Sequence, residues 1–544
     1  MGIATAHTIV LQGATGHRVD VQVDVSMGQV VTLVVGRPDA SINEARDRCR
    51  TAVDNSGFAW PTTKRTTILL SPADLPKRGS HLDLAIACAV LLASDDKVDR
   101  SGLQDTALIG ELALDGALRP VPGILPMVLA ARSQGLAHVI VPEPHAAEAA
   151  LVPGMAVTGV RSLAQAVAVL TGREIPHAPP VGVVRSSPLL ATASGARLAE
   201  LDLVDLIGVA DARFALEVAA AGGHHLMLSG PKGAGKTSLA ERMPGLLPDL
   251  EVEDALELTA LLSLAGAATG SAGPVAVEGL VRRPPFSAPH HTSSKSAVLG
   301  GGSGRVRPGE ISKAHRGVLF LDEFPLFNHD IIEALRQPLE GGEITIARGE
   351  ELATFPARTT LVLACNPCPC GEWRPDDRHA ACSCTEVARR RYRGKISGPI
   401  ADRIDITRHV RPVSAWEARD PLAQRETSAV VRARVAAARA RQRERYAGTS
   451  WRVNADVPGS ALRERFPLDD EARRVLDEHL YGGRVTQRGA VRVHRLAWTL
   501  ADLRGIAGAP PSVDDVTDAL ALRLGEPLPA ASLARGTEMS EVQS

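Results

Sequence analysis

Apolar and polar residues alternate in Val21-Gln-Val-Asp-Val25 and again through Val30-Val-Thr-Leu-Val-Val35, a period of two that predicts strands with one buried face. The apolar spacing becomes helical in Asp83 to Leu92 and in Ile124 to Ala131, so residues 1–174 read as an α+β domain. Residues 175–192 are rich in proline and have little to bury, the mark of a linker. From Leu198 the order becomes helix, strand (His225-Leu-Met-Leu228), glycine-rich loop, helix, and a second apolar strand, Gly317-Val-Leu-Phe-Leu-Asp-Glu323. Strands alternating with helices predict a parallel three-layer α/β core over 193–415, with ligands at the strands' C-terminal ends. Helix formers dominate after it, including the Arg/Ala-rich run Ser428 to Arg445, which predicts a helical lid over 416–525 and a frayed tail over 526–544.

Composition narrows the class. A chain of 544 residues is too long for one core, and 44% hydrophobic with 23% charged residues is the balance of an ordinary globular protein. Lys and Arg number 61 against 62 acidic residues, so a nucleic-acid surface would be a local patch. The apolar run Leu84 to Ala93 falls well short of the roughly 20 residues that span a bilayer, and no basic segment followed by an apolar one opens the chain; the cytoplasm is the expected compartment. Four of the seven cysteines fall between Cys368 and Cys384, which in a reducing compartment points to metal before disulfide.

The clearest chemistry is the run Gly230, Pro231, Lys232, Gly233, Ala234, Gly235, Lys236, Thr237, Ser238, which fits the phosphate-loop pattern G-x-x-x-x-G-K-[ST]. Its glycines let backbone N–H groups wrap a phosphate, Lys236 brings a charge to the β- and γ-phosphates, and Thr237 offers a hydroxyl to Mg²⁺. The strand Val318 to Leu321 delivers Asp322 and Glu323 at its end, one carboxylate to hold Mg²⁺ through its hydration shell and one to polarise an attacking water. A third strand, Thr360 to Cys365, ends in Asn366, placed either to bond that water or the γ-phosphate, or simply to start a turn before Pro367.

The order phosphate loop, Asp-Glu strand, Asn strand resembles that of AAA+ ATPases, in which Asn366 would be sensor 1. In Ser397-Gly-Pro-Ile-Ala-Asp-Arg-Ile-Asp405 the resemblance makes Arg403 an arginine finger for a neighbouring subunit's nucleotide, with a salt bridge to Asp402 or Asp405 as the competing reading. Thr486-Gln-Arg488 resembles the sensor 2 motif at a helix start, whereas Arg492 and Arg495 read as surface or subunit-contact residues. Ala288-Pro-His-His-Thr292, Arg307-Pro-Gly-Glu-Ile-Ser312, Leu335-Arg-Gln-Pro-Leu-Glu340, Gly342-Glu-Ile-Thr-Ile-Ala-Arg348 and Asn366-Pro-Cys-Pro-Cys-Gly371 together resemble the YifB/ComM family of magnesium-chelatase-like AAA+ ATPases. Phe58, Pro61, Pro72-Ala-Asp-Leu-Pro-Lys77 and Gly110-Glu-Leu-Ala-Leu-Asp-Gly116 extend the resemblance through the N-terminal domain; Ile207-Gly208-Val209 departs from the family's usual Arg-Gly-Gln. The family implies a multidomain α/β fold: a Lon-protease-like α+β domain, an AAA+ core and a helical lid. Where the Lon pattern has its serine and lysine, this chain has His81, next to Ser80, and Met127, so a protease lacks its base.

The resemblance implies an ATP- and Mg²⁺-dependent ring, a hexamer in the family, that acts as a DNA translocase or helicase on branched recombination intermediates during DNA uptake. Two other classes stay open: a chelatase-type remodelling motor, and a regulator that uses ATP as a switch. Lys295, Arg305 and Arg307 in a Gly/Ser-rich insert, and Arg348 at a hairpin tip, are the DNA-contact candidates, set against the common reading of solvated charge. Aromatic residues make up 3% of the chain, so contacts would favour the backbone and ignore sequence. Cys368, Cys370, Cys382 and Cys384, with His379 as a substitute ligand, have the number and type for structural Zn²⁺, against a loop that merely gathers small residues.

Overall fold

A computed structural model describes residues 2–36, 40–77, 79–95, 98–181, 197–266, 279–302, 306–348, 351–373, 382–395, 400–413, 425–505 and 508–533. Its N-terminal strands are β1 (Gly2–Gln12), β2 (Thr15–Ser26), β3 (Val31–Val35), β4 (Arg65–Ser71), β5 (Thr106–Leu108), β6 (His138–Pro142) and β7 (Ala156–Val160). They form one mixed sheet in the order β3-β4-β2-β1-β5-β6-β7. The alternation at Val21, Val23 and Val25 has its expected cause: all three side chains are buried on one face. Helices α1 (Asp83–Ser94) and α2 (Ile124–Ser133) cover the sheet, and Met127 is fully buried among them. The Ser80 hydroxyl donates to Glu111.

The second sheet is built from β8 (Leu226–Ser229), β9 (Phe286–Ser287), β10 (Val318–Leu321), β11 (Thr360–Cys365) and β12 (Ile406–His409), all parallel, in the order β9-β10-β11-β8-β12. Buried on both faces, β10 and β11 are near-continuous apolar runs. Helices α3 (Ala210–Gly222), α4 (Lys236–Leu246) and α5 (Val252–Gly266) flank the sheet. The hairpin expected between Gly342 and Phe355 forms from Glu343–Arg348 and Glu351–Pro356.

C-terminal helices α6 (Ser428–Arg445), α7 (Gln487–Arg504) and α8 (Val513–Leu524) fall where helix formers predicted them. Part of their apolar surface closes a small cluster within the C-terminal region, Tyr446, Val457, Leu462 and Trp498, and the rest joins the sheet. Val431, Val435, Val493 and Leu520 lie in one apolar cluster with Leu216 of α3 and with Leu228 and Val362 of the sheet. Arg434 ties the layers by pairing with both Glu217 and Glu426. The N-terminal unit is also joined to the core: Ile9 and Met127 share a cluster with Leu256 and Ala260 of α5, and Glu148 accepts a bond from Ser263 at 2.8 Å. At the expected linker, residues 175–181 have no regular structure, yet their carbonyls at Pro176 and Ala178 accept bonds from Gln165 and Arg161. The rest of that linker, the 414–424 junction and the tail beyond 533 lie outside the described residues.

Histidines at the joint between sheet and C-terminal helices make stability acid-sensitive. His224 is buried beside the Thr499 hydroxyl at 2.7 Å, His225 accepts the Leu361 N–H at 3.1 Å, and His494 bonds the Phe466 carbonyl at 2.9 Å. Burial pushes each from the ordinary 6.5 down to about 4. The unfolded chain therefore binds more protons between those values, so the stabilisation is complete above pH 6.5 and is lost as pH falls toward 4. Asp405 is held well below the usual carboxylate range, with Arg492 beside it offsetting its burial, and stays charged throughout that window. The melting temperature is expected to fall progressively between pH 6.5 and 4.5; a flat profile there would contradict this assignment.

Candidate nucleotide site

The phosphate loop leaves the C-terminal end of β8 and enters α4 at Lys236. Two glycines have structural reasons. A Cβ on Gly230 would lie 2.2 Å from the Val410 carbonyl oxygen, and Gly235 has φ +87° at the start of α4. Lys236 is buried, and its ammonium donates to the Gly230 and Pro231 carbonyls at 2.7 and 2.9 Å and to Asn366 Oδ1 at 3.1 Å. Burial lowers its pKa, with Asp322 the main opposing influence. Asn366, itself buried, is thus brought to the loop by adjacent parallel strands, Ser229 lying opposite Cys365.

Asp322 and Glu323 follow β10 at the same edge. The Thr237 hydroxyl lies 3.0 Å from Asp322 Oδ2. Neighbouring ligands of an octahedral Mg²⁺ stand about 3 Å apart when Mg–O is about 2.1 Å, so this oxygen pair suits the ion directly or through its waters. Glu323 has φ +48°, one of two non-glycine residues recorded in the left-handed region among those described. Such backbone costs about 1–3 kcal/mol and persists where the surroundings impose it; here the Glu323 N–H donates to Asp322 Oδ1 at 2.8 Å and the Glu323 carbonyl accepts from Leu326. His291 Nδ1 stands 3.6 Å from Glu323 Oε2. Sequence reasoning used Ala288 to Thr292 only as a family marker and missed this contact. The double histidine His290-His291 was its only signal.

The arginines lie elsewhere. Strand β12 runs parallel to β8, with Ile406 opposite Leu226 and His409 opposite Ser229, so Arg403, which precedes β12, is at the sheet edge opposite the phosphate loop. A four-residue strand separates the two edges by about 13 Å. In the single chain Arg403 is 3% exposed and pairs with Glu340. Of the two carboxylates near it in sequence, Asp405 accepts from Arg492 at 2.5 Å and from the His225 N–H, and Asp402 stands 3.6 Å from Arg523. Arg492 and Arg495 are not surface residues either. Arg492 also bonds the Asp402 carbonyl and Arg495 the Val457 carbonyl, each at 2.8 Å, since this face of α7 packs against the turn before β12. Arg488 is exposed and lies one helical turn before Arg492, hence near the same edge. A cavity of about 540 Å³ opens there, lined by Arg316, Arg358, Arg439, Arg492, Arg495 and Glu340 among others.

Among the DNA-contact candidates, Arg307 and Arg348 are exposed. Lys295 opens a short helix, Lys295–Leu299, and stands 4.0 Å from Asp330; both side chains are more than 60% exposed. Such a pair is worth at most about 1 kcal/mol and yields readily to a phosphate. Arg305 and His379 lie outside the described residues. The four cysteines gather in one cluster, all Sγ atoms within 4.8 Å of one another.

This geometry can be set beside known proteins. Residues 202–418 match the family model of magnesium chelatase, subunit ChlI, and 425–523 match that of the ChlI C-terminal region. Over 503 residues the chain is 38% identical to YifB of Escherichia coli, spanning 92% of this chain and 94% of that protein. Over 506 residues it is 37% identical to the competence protein ComM of Haemophilus influenzae, spanning 93% and 94%. The chain belongs to the YifB/ComM family of magnesium-chelatase-like proteins. An uncharacterized Mycobacterium tuberculosis protein is 45% identical to this family member over 525 residues, 96% of one and 99% of the other. The N-terminal residues 21–145 match a model described as subunit ChlI of Mg-chelatase, so that segment does not by itself separate YifB/ComM proteins from chelatase motors. No helix among the described residues is long and apolar enough to cross a membrane.

Proposed function

We propose that the protein is an ATP-hydrolysing, ring-forming AAA+ motor that moves DNA, acting on branched intermediates without regard to sequence. The observation that carries the shared site is the separation of its parts: Lys236, Thr237, Asp322, Glu323 and Asn366 meet at one edge of the parallel sheet, while Arg403 and Arg488 stand at the other. Arginines about 13 Å from the loop of their own chain cannot serve the phosphates it holds. They serve those of a neighbouring copy, whose nucleotide then lies between two subunits. The cation-rich cavity at the second edge suits the approach of a polyphosphate.

In this reading the loop N–H groups and Lys236 hold the β- and γ-phosphates, and Glu323 orients the water. Thr237 and Asp322 would hold Mg²⁺, which would supply charge neutralisation to the phosphates. Arg403 reaches the neighbour after leaving Glu340, whose side chain is 58% exposed and can be resolvated. The C-terminal helices act as the lid, and their core shared with the sheet couples nucleotide state to the body of the ring. DNA is favoured as the substrate by the exposed Arg307, Arg348 and Lys295 on the two inserts. The competence designation of ComM, a relative alike along nearly its full length, points the same way. A chelatase-type remodelling motor is the second reading, supported by the ChlI models along most of the chain.

One titration tests both halves. ATP turnover per chain is expected to rise with chain concentration as subunits pair. Forked or four-way-junction DNA is expected to stimulate it further, with an effect that falls steeply between 50 and 200 mM salt, to about one-thousandth or less of the low-salt affinity if six or more phosphates are contacted. Turnover independent of chain concentration would sink the shared site; turnover indifferent to every DNA would sink the substrate.

A further inference from the structure

We propose that Cys368, Cys370, Cys382 and Cys384 hold one structural Zn²⁺ as a tetrathiolate, and that this ion locks the sensor end of β11 against the phosphate loop. Three sulfur pairs in the cluster are 3.3, 3.7 and 3.6 Å apart (Cys368 to Cys370, Cys368 to Cys382, Cys370 to Cys382). With Zn–S of about 2.3 Å, sulfurs at the corners of a tetrahedron stand about 3.8 Å apart. A disulfide needs about 2.05 Å, and none of the four cysteines is in one. Four sulfurs within 4.8 Å of one another, three of their pairs at zinc spacing, from two C-x-C segments with eleven residues between them, are what a closed four-coordinate site requires. Loops that merely gather small residues have no reason to aim four thiols at one point.

What surrounds the cluster assigns its role. Cys368 is two residues past Asn366, the residue that holds Lys236. Gly371, at φ +86°, lets its segment lie directly on the phosphate-loop residue Lys232: an added Cβ would meet that side chain at 3.0 Å. Beyond Cys384 the helix Glu386–Gly394 brings buried Tyr392 to the Asn366 backbone, and Lys395 just after it bonds the Pro325 carbonyl, two residues past Glu323. One ion thus joins the two strand ends and the loop that carry the nucleotide chemistry. A tetrathiolate around Zn²⁺ carries two negative charges, which a helix bearing Arg389, Arg390 and Arg391 is suited to offset. Binding releases the thiol protons, so affinity rises with pH.

The test is metal analysis of the full chain expressed in zinc-replete medium, followed by exchange for Co²⁺. The expected results are roughly one Zn²⁺ per chain and, with Co²⁺, the intense visible bands of tetrahedral thiolate coordination. Cys384→Ala is expected to lower zinc several-fold, whereas Cys384→His, which keeps a ligand, and Cys88→Ala, outside the cluster, keep it. Chelation is expected to open residues 366–395 to protease before the rest of the chain. Less than about 0.1 Zn²⁺ per chain with all four thiols reactive, a disulfide within the cluster, or an iron chromophore in zinc's place would each overturn the assignment.

Discussion

Glu323→Gln is expected to leave ATP binding within about threefold of the native chain and to cut turnover by about 10²- to 10⁴-fold, the usual contribution of a positioned general base. The substitution is nearly isosteric, so the left-handed backbone at this position, the Asp322 bond to its N–H and the packing after β10 all persist. Only basicity and charge are lost. Because His291 stands 3.6 Å from the carboxylate, the same comparison in a His291→Ala background separates water activation from placement of the side chain. A placement role predicts a smaller loss that the Gln variant does not add to. Nucleotide binding by a fluorescent analogue, phosphate release and thermal melting make the three readouts. Phosphate release within tenfold of native in Glu323→Gln would remove the residue from the chemistry.

Lys236→Ala is expected to weaken ATP binding about 100-fold or more, the worth of roughly 3 kcal/mol for a charge-assisted bond to phosphate. In this chain the ammonium is held by the Gly230 and Pro231 carbonyls and Asn366 Oδ1. It must exchange these for phosphate oxygens, and that exchange couples Asn366 to the arrival of nucleotide. Truncation leaves acceptors that water can satisfy, since the loop lies at the sheet edge. The fold should therefore survive, with a melting temperature within a few degrees of native. Binding within about threefold of native would show that the phosphate-loop assignment is wrong.

Much of the architecture was legible because local rules and tertiary packing agree. The period-two runs form strands, the helical runs at Asp83, Ile124 and Ser428 form helices, and the inner strands β10 and β11 are apolar because both faces are covered. The position of Asn366 was legible too, since a buried parallel strand delivers the residue after it to the ligand edge; that its Oδ1 accepts from Lys236 was not. Charge pairing was not. Arg403, Arg492 and Arg495 sit among acidic and basic residues of similar spacing, and nothing in the chain order says that Asp405 is already committed to Arg492 and His225, leaving Glu340, 63 residues earlier, to take Arg403. His291 was missed for the same reason: its partner stands at the end of the neighbouring strand, 32 residues along the chain.

By itself the sequence determined the phosphate loop, the carboxylate pair, the alternation that makes the core parallel and the family to which the chain belongs. These are properties of backbone permissiveness, residue chemistry and period, all local in sequence. Tertiary structure alone decided which side chains meet. It placed the arginines at the edge opposite their own phosphate loop, joined much of the C-terminal helices' apolar surface to the sheet, and drew two C-x-C segments with eleven residues between them to a single point. Each follows from strand direction and helix packing, which bring together residues more than ten positions apart and cannot be read from either partner's neighbourhood.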